Sequence, residues 1–171
     1  MGTRIILFGG AFCFFLISLF CYLKSCEAKA TSISIAVAEG WPIAVSDSGE
    51  FTHLSSNTRL AIMIGIPLTE KITFVVKPRI VLKQTNFKPQ PGLILGTSFK
   101  LTDGLGWAVG ILYQCFPPYD DKTRHLLSLG TGPVVRLTDS VSYTPSVAGG
   151  RFINGSWSLA VVPIEFSFQL F

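Results

Sequence analysis

The sequence predicts an all-β chain that folds as an eight-stranded antiparallel up-and-down β-barrel, behind a cleaved N-terminal signal peptide. Three observations carry this prediction. Long segments alternate bulky apolar residues with small or polar ones, which is the pattern of a strand with two unlike faces. A Leu-Thr-acid sequence occurs three times at similar intervals. These short connections alternate with longer polar ones, so that the longer ones all fall at one end of the predicted sheet.

The first 30 residues have the features of an exported leader. Arg4 gives the start a positive charge, the segment 5–23 is almost wholly apolar, and Ala28 and Ala30 form an A-x-A site. These are the regions of a secretory signal peptide, so we expect cleavage after Ala30 and a barrel domain of residues 31–171. Two alternatives stay open: a transmembrane anchor, because the apolar run approaches bilayer length, and a lipoprotein cut before Cys26.

The composition of residues 31–171 excludes several classes of function. Loss of the leader leaves eleven basic and nine acidic residues, so the net charge falls from +4 to +2. No basic cluster with interleaved aromatic residues remains, and nucleic-acid binding is not expected. Cys115 is the one cysteine left, which excludes an internal disulfide and a cysteine-based metal site. Because His53 and His125 fall in different loops, we expect no metal and no cofactor.

Three segments, which begin at Leu68, Leu101 and Leu137, share the pattern Leu-Thr-acid-x-aliphatic-x-aromatic. They start 33 and 36 residues apart. A period of this size also occurs in helical-hairpin repeats, but the flanking residues here alternate with a period of two. Since Thr and Asp are turn formers, the three segments predict tight turns between strands.

The alternation places each strand between these turns. Leu60, Ile62 and Ile64 share one face of their segment, whereas Arg59 and Ala61 share the other. The same period predicts strands near 32–46, 58–67, 71–84, 91–101, 105–116, 123–136, 140–147 and 156–170. Longer loops are predicted at 47–57, 85–90, 117–122 and 148–155.

The two faces of the strands favour a membrane environment. A bilayer offers no water to unpaired backbone groups, so a sheet can span it only as a closed barrel. Bulky aliphatic residues suit a lipid-facing exterior, and Gly, Ala, Ser and Thr suit the narrow interior of eight strands. The alternative is a secreted lipocalin-like carrier, in which the aliphatic residues would line a cavity.

Two sets of residues bear on the register. Phe74, Trp107 and Tyr143 close the three repeats and are expected at one height, as an aromatic girdle at the membrane interface. Glu39 falls on the apolar face of the first strand. A β-bulge near Gly40 would re-aim it; otherwise this part of the strand must lie at or beyond the interface.

In its strand number, short turns, longer loops and interfacial aromatics, the chain resembles the small outer-membrane β-barrel proteins of bacteria, the class that includes the OmpA barrel and OmpX. The resemblance is one of pattern and covers residues 31–171. It implies a protein of the Gram-negative outer membrane that contacts lipid and lipopolysaccharide and is placed there by the barrel-insertion machinery. The sequence leaves the oligomeric state open.

The inward faces of the predicted strands carry most of the strand charge. We expect a lumen charge network in which Glu165 bonds to one or two bases, because an unpaired charge in a narrow barrel is costly. Such a network would plug the lumen and fix the register; alternatively, the lumen attracts anions, or bases at the rim bind lipopolysaccharide phosphate. The residues on this face are Arg59, Lys77, Arg79, Lys83, Lys100, Arg136 and Glu165.

The sequence favours a non-enzymatic barrel that anchors in the envelope and displays its loops for adhesion, envelope stabilisation or ligand contact. A lipid A-modifying enzyme is one alternative. The stretch 51–57 is similar to the catalytic stretch of the lipid A deacylase barrels, a resemblance that would make Ser55 the nucleophile and His53 its base. A narrow channel is a further alternative.

Overall fold

The computed structural model describes residues 31–45, 51–53, 57–83, 89–116, 124–153 and 155–171. The predicted signal peptide, residues 1–30, lies outside this part of the chain. Within it there is no helix long and apolar enough to cross a membrane. The strands are β1 (Ser32–Val45), β2 (Phe51–His53), β3 (Asn57–Pro67), β4 (Ile72–Lys83), β5 (Pro89–Lys100), β6 (Leu105–Phe116), β7 (Arg124–Arg136), β8 (Val141–Tyr143), β9 (Ser146–Phe152) and β10 (Trp157–Gln169).

These segments form one antiparallel sheet that closes on itself. Neighbours follow chain order, and β10 pairs with β1 from Ser34–Gln169 to Val45–Trp157. Two barrel strands are each made of two segments: β2 and β3 both pair with β1, and β8 and β9 both lie between β7 and β10. The predicted eight-stranded antiparallel barrel is therefore confirmed.

The three Leu-Thr-acid repeats are the tight turns of one end of the barrel, which we call the turn end. In each, the Leu and Thr N–H groups donate to the carbonyl of the aliphatic residue four positions after Leu, at 2.8–3.1 Å. The Thr Oγ1 then accepts from backbone N–H groups two or three residues later, at 3.0–3.2 Å. The Thr side chain of each repeat thus provides an acceptor for backbone N–H groups of the turn that are not paired with another strand.

Two of the loops at the opposite end, the loop end, were predicted too long. Residues 51–53 pair with the end of β1, and β9 continues to Phe152, so that only residues 153–156 connect it to β10. The stretch 148–150 is Ala-Gly-Gly. Because it holds no bulky residue, its alternation is invisible in the sequence although its backbone pairs with β7 and β10.

A β-bulge lies on β10 rather than at Gly40. From Glu39 to Trp41, β1 advances two residues while its partner advances three, from Ile164 to Val161. The extra residue falls at Pro163, which has no N–H to give to a ladder. Glu39 stays on the exterior beside Trp41, so this part of β1 lies at or beyond the interface.

The exterior and the interior of the barrel differ as a membrane requires. Bulky aliphatic side chains are exposed on the outside of every long strand, among them Ile35, Ile62, Ile111 and Leu129. The inside holds buried Ala, Ser and Gln together with basic side chains. An apolar exterior around a polar interior is the arrangement of a transmembrane barrel and the reverse of a lipocalin-like carrier.

Candidate functional site in the barrel interior

Four charged side chains meet inside the barrel. Arg59 extends from β3, Lys77 and Arg79 from β4, and Glu165 from β10; the three bases are each at most 9% exposed. Lys77 Nζ donates to Glu165 Oε1 and forms an ion pair with it. The bond joins strands that are not neighbours in the sheet, so it crosses the lumen.

The two arginines bond to amide groups. Arg59 Nε donates to Asn57 Oδ1 at 2.8 Å, and its guanidinium lies against Gly40, where any side chain would take its space. Arg79 Nη2 donates to Gln114 Oε1, and the buried Arg79 Nε has no partner in the described part of the chain. An arginine donor left without an acceptor in a buried site is costly.

The bulge on β10 decides where Glu165 points. Val162 and Glu165 both line the lumen, although they are three residues apart and would face opposite ways on a regular strand. The extra residue at Pro163 shifts the alternation of β10 by one position, so that both side chains face the lumen. Two hydrogen bonds hold the bulge on the side of β8: the Tyr143 hydroxyl donates to the Pro163 carbonyl at 2.7 Å, and the Thr144 N–H donates to the Glu165 carbonyl at 2.9 Å.

Small residues leave a cavity of about 570 Å³ beside the charged cluster. A belt of five of them crosses β5, β6, β7, β9 and β10, each paired with the next. Because none has an atom beyond Cβ, the lumen stays open along this wall. The belt residues are Gly96, Gly110, Gly130, Ala148 and Ala160.

The cavity extends from one end of the barrel to the other. Its lining includes Ser32 and Thr73 near the turn end, and Gln90 and Arg124 near the loop end. Between them the lining includes the apolar side chains of Leu112, Leu126 and Val162, all buried. The interior therefore combines cationic side chains with apolar ones.

The structure does not bring Lys100 and Arg136 into the charged cluster. Both belong to the inward faces of their strands, but they are the last residues before a tight turn. Lys100 Nζ lies 2.6 Å from Asp103 Oδ1, and Arg136 Nη2 lies 3.2 Å from Asp139 Oδ1, with both basic side chains about half exposed. The bond and charge of Lys100 lower the pKa of Asp103. The Lys83 side chain lies outside the described residues.

Aromatic side chains occupy both ends of the exterior. At the turn end, Trp107 is exposed and its Nε1 donates to Thr131 Oγ1 at 2.7 Å, whereas Phe74 and Tyr143 are half-buried. At the loop end lies a second group of exposed aromatic residues that the sequence analysis did not predict. The sequence signal that could have identified them is an aromatic residue close to the loop end of its strand, as in Trp41, Tyr113 and Trp157.

The stretch that resembles the deacylase barrels falls mostly outside the described residues. The backbone of His53 pairs with Ile43 at the end of β2, and Ser55 is not described. Among the residues that are described, no group of three or more His, Cys, Asp or Glu could hold a metal ion. The interior is thus the site that the structure defines.

A closed antiparallel barrel with an apolar exterior, a polar interior, short turns at one end and aromatics at both is a small outer-membrane β-barrel. Among solved structures it is similar to Ail, the attachment invasion locus protein of Yersinia pestis, with a TM-score of 0.59, 8% identity, and coverage of 83% of this chain and all of that one. Neisserial surface protein A, NspA, has a TM-score of 0.54 at 10% identity, with the same coverage. These likenesses are of fold. No protein-family model and no curated protein matches the sequence.

Proposed function

We propose that this protein is a non-enzymatic outer-membrane barrel that anchors in the envelope and holds its loops at the cell surface for adhesion or ligand contact. The observation that carries the proposal is the closed sheet itself. Every connection between the eight barrel strands other than the three tight turns leaves from one end. In outer-membrane barrels the short turns face the periplasm, so this end is the outer one.

The rim of the loop end supports a contact with anionic groups of the envelope. Arg151 is exposed, its Nε donates to the Gly155 carbonyl at 3.1 Å, and its guanidinium lies 5.8 Å from the centre of the Trp157 ring. Such an arginine is held in place, and its other donors have no partner among the described residues. Arginine donors and an exposed indole suit the phosphate-bearing headgroup region, so lipopolysaccharide is the partner we propose.

A structure of Ail contains the heparin analogue sucrose octasulfate. That a barrel of this fold has been observed with a sulfated saccharide supports heparin as an adhesion probe for this chain. The loops themselves would supply the recognition, since the fold alone does not carry it.

The test is complementation of a deletion strain. Wild type would restore attachment of cells to immobilised heparin, whereas a variant with residues 117–123 replaced by Gly-Ser would restore less. Arg151→Gln would increase sensitivity to detergent without altering attachment, and Lys71→Gln at the turn end is the matched control. Equal attachment by the deletion strain and the complemented strain would refute the display function, provided that gel mobility shows a folded barrel in each case.

The continuous cavity favours a second candidate function, a narrow channel. Its lining reaches both ends of the barrel, and four of its described residues are basic, so conduction would select for anions. Planar-bilayer recordings of the folded protein decide this. Steps of current that reverse as expected for an anion would support a channel, and silence at all voltages would mean that the charged cluster closes the lumen.

A further inference from the structure

We propose that the barrel interior is a binding site for a small amphipathic anion, whose carboxylate or phosphate headgroup is bound by Arg79 and Arg59 and whose apolar part fills the cavity. This inference does not rest on the display function of the loops. It follows from the charge balance, from the free donor of Arg79 and from the shape of the cavity.

The charge balance leaves two buried cations without a counterion of their own. Among the described residues that line the cavity, Glu165 is the one acid, and it is bonded to Lys77. Arg59 and Arg79 bond to the neutral amides of Asn57 and Gln114. Buried charges in proteins are paired, because an isolated charge in a poorly solvated site is strongly unfavourable. An anion beside the two guanidinium groups would supply the missing pairing.

Arg79 combines burial with a donor that has no acceptor in the described part of the chain. Its side chain is more than nine-tenths buried, it lines the cavity, and its Nε has no acceptor in the described part of the chain. Gln114 orients the guanidinium from one side and is itself 1% exposed, with its Nε2 donating to the Gln90 carbonyl at 3.5 Å. The guanidinium is therefore held in one orientation before a ligand arrives, and planar oxyanions suit its fork of donors.

The cavity selects against a bare inorganic ion. Its volume of about 570 Å³ is within the range of roughly 300–1,000 Å³ that is usual for small-molecule sites. Its lining includes the buried apolar side chains of Leu112, Leu126 and Val162, and the belt of Gly and Ala keeps the space beside them open. A chain of several methylene groups would bury apolar surface there, which neither water nor phosphate can do.

The test uses octanoate as the probe, titrated into the full-length folded barrel in nanodiscs of zwitterionic lipid and followed by calorimetry. We expect saturable binding of octanoate, with octanol and acetate each about tenfold weaker or more, because one lacks the charge and the other the apolar part. Octyl phosphate in a parallel arm tells whether the site prefers a carboxylate or a phosphate headgroup.

Two variants and a control assign the binding to the lumen. Arg79→Gln removes the headgroup partner and should weaken octanoate binding about tenfold or more. Ala148→Leu fills the cavity from the belt and should abolish binding while leaving every charge in place. Gly149→Leu adds the same side chain to the opposite face of β9, where a Cβ would meet no atom within 4 Å, and should have no effect.

The proposal fails if octanoate does not bind the wild-type barrel. It fails equally if Ala148→Leu and Gly149→Leu bind octanoate as the wild type does, since the probe then sits on the lipid-facing surface. Should Arg79→Gln not fold, Ala148→Leu alone decides between these outcomes, because it leaves the charged cluster intact. Cells that attach normally while the purified barrel binds no octanoate would overturn this inference and leave the display function standing.

Discussion

Glu165 is the one acid among the described residues that line the lumen, and it offsets part of the positive charge there. Its replacement by glutamine would leave Lys77, Arg59 and Arg79 as buried cations with no acid among the described residues near them. Removing one partner of a buried pair costs roughly 3–5 kcal/mol. We therefore expect Glu165→Gln to lower the free energy of unfolding by about that amount, measured by urea titration of the barrel in lipid vesicles.

The double variant Lys77→Gln, Glu165→Gln is the control for this prediction. It removes both members of the pair, and it should be more stable than Glu165→Gln alone because one buried cation is gone. A double variant no more stable than Glu165→Gln would mean that Lys77 and Glu165 are not coupled in the membrane.

The residues of the charged cluster differ in how far the sequence could predict them. Alternation alone assigns Arg59, Lys77 and Arg79 to inward faces, because the period of two leaves no other choice. Alternation says nothing about height, so it cannot separate these bases from Lys100, which lies at the mouth and pairs with its own turn. It also cannot find Gln114, an uncharged residue whose role appears only when Arg79 is seen opposite to it.

At the scale of single elements, each of the three tight turns contains a threonine hydroxyl that accepts a hydrogen bond from the turn backbone. Thr102 Oγ1 accepts from the Leu105 N–H at 3.1 Å, and equivalent bonds occur in the other two turns. Thr102→Val keeps the shape of the side chain and removes the acceptor, so we expect a loss of about 1 kcal/mol of stability in the urea titration. Thr102→Ser retains the hydroxyl and should stay close to wild type; a loss as large as that of the valine variant would contradict the role given to Oγ1.

The bulge at Pro163 is the second element on which the site depends. Deletion of Pro163 should restore regular alternation to β10 and turn either Glu165 or Val162 out of the lumen, since a slip of one residue exchanges the faces of a strand. The expected cost is at least that of Glu165→Gln, roughly 3–5 kcal/mol. Pro163→Ala keeps the number of residues and should change the stability by less than about 1 kcal/mol; equal losses in both variants would mean that the proline ring, not the extra residue, matters.

Neither the bulge nor the break between β8 and β9 is visible in the sequence. A bulge is a difference in the number of residues that two paired strands use over the same length. The sequence of one strand does not reveal how many residues its partner uses. The break falls at Thr144–Pro145, inside the predicted strand 140–147. The face of the strand on which a residue lies is therefore predictable from the local pattern. The register is not, because it depends on both strands of a pair.

At the scale of the whole molecule, strand number and closure follow from the order of short and long connections. The cavity does not, because the belt from Gly96 to Ala160 is assembled from five strands and has no local signature. We expect the outer-membrane fraction to contain a form that resists SDS and changes its gel mobility on boiling, since closure protects every strand edge. Its intact mass should correspond to a chain that begins at Thr31. A mobility that does not depend on heating would contradict a closed membrane barrel.

The two ends of the described barrel lie side by side. The Leu170 N–H donates to the Ile33 carbonyl at 2.7 Å, and the Ile33 N–H donates to the Phe171 carbonyl at 3.2 Å. A short linker built as a fourth Leu-Thr-Asp turn could therefore join them, and the chain could be opened instead at residues 84–88. Such a circular permutant would keep every strand pair, but β4 would become the final strand. Its assembly in cells would therefore show whether insertion into the membrane depends on the order in which the strands occur along the chain.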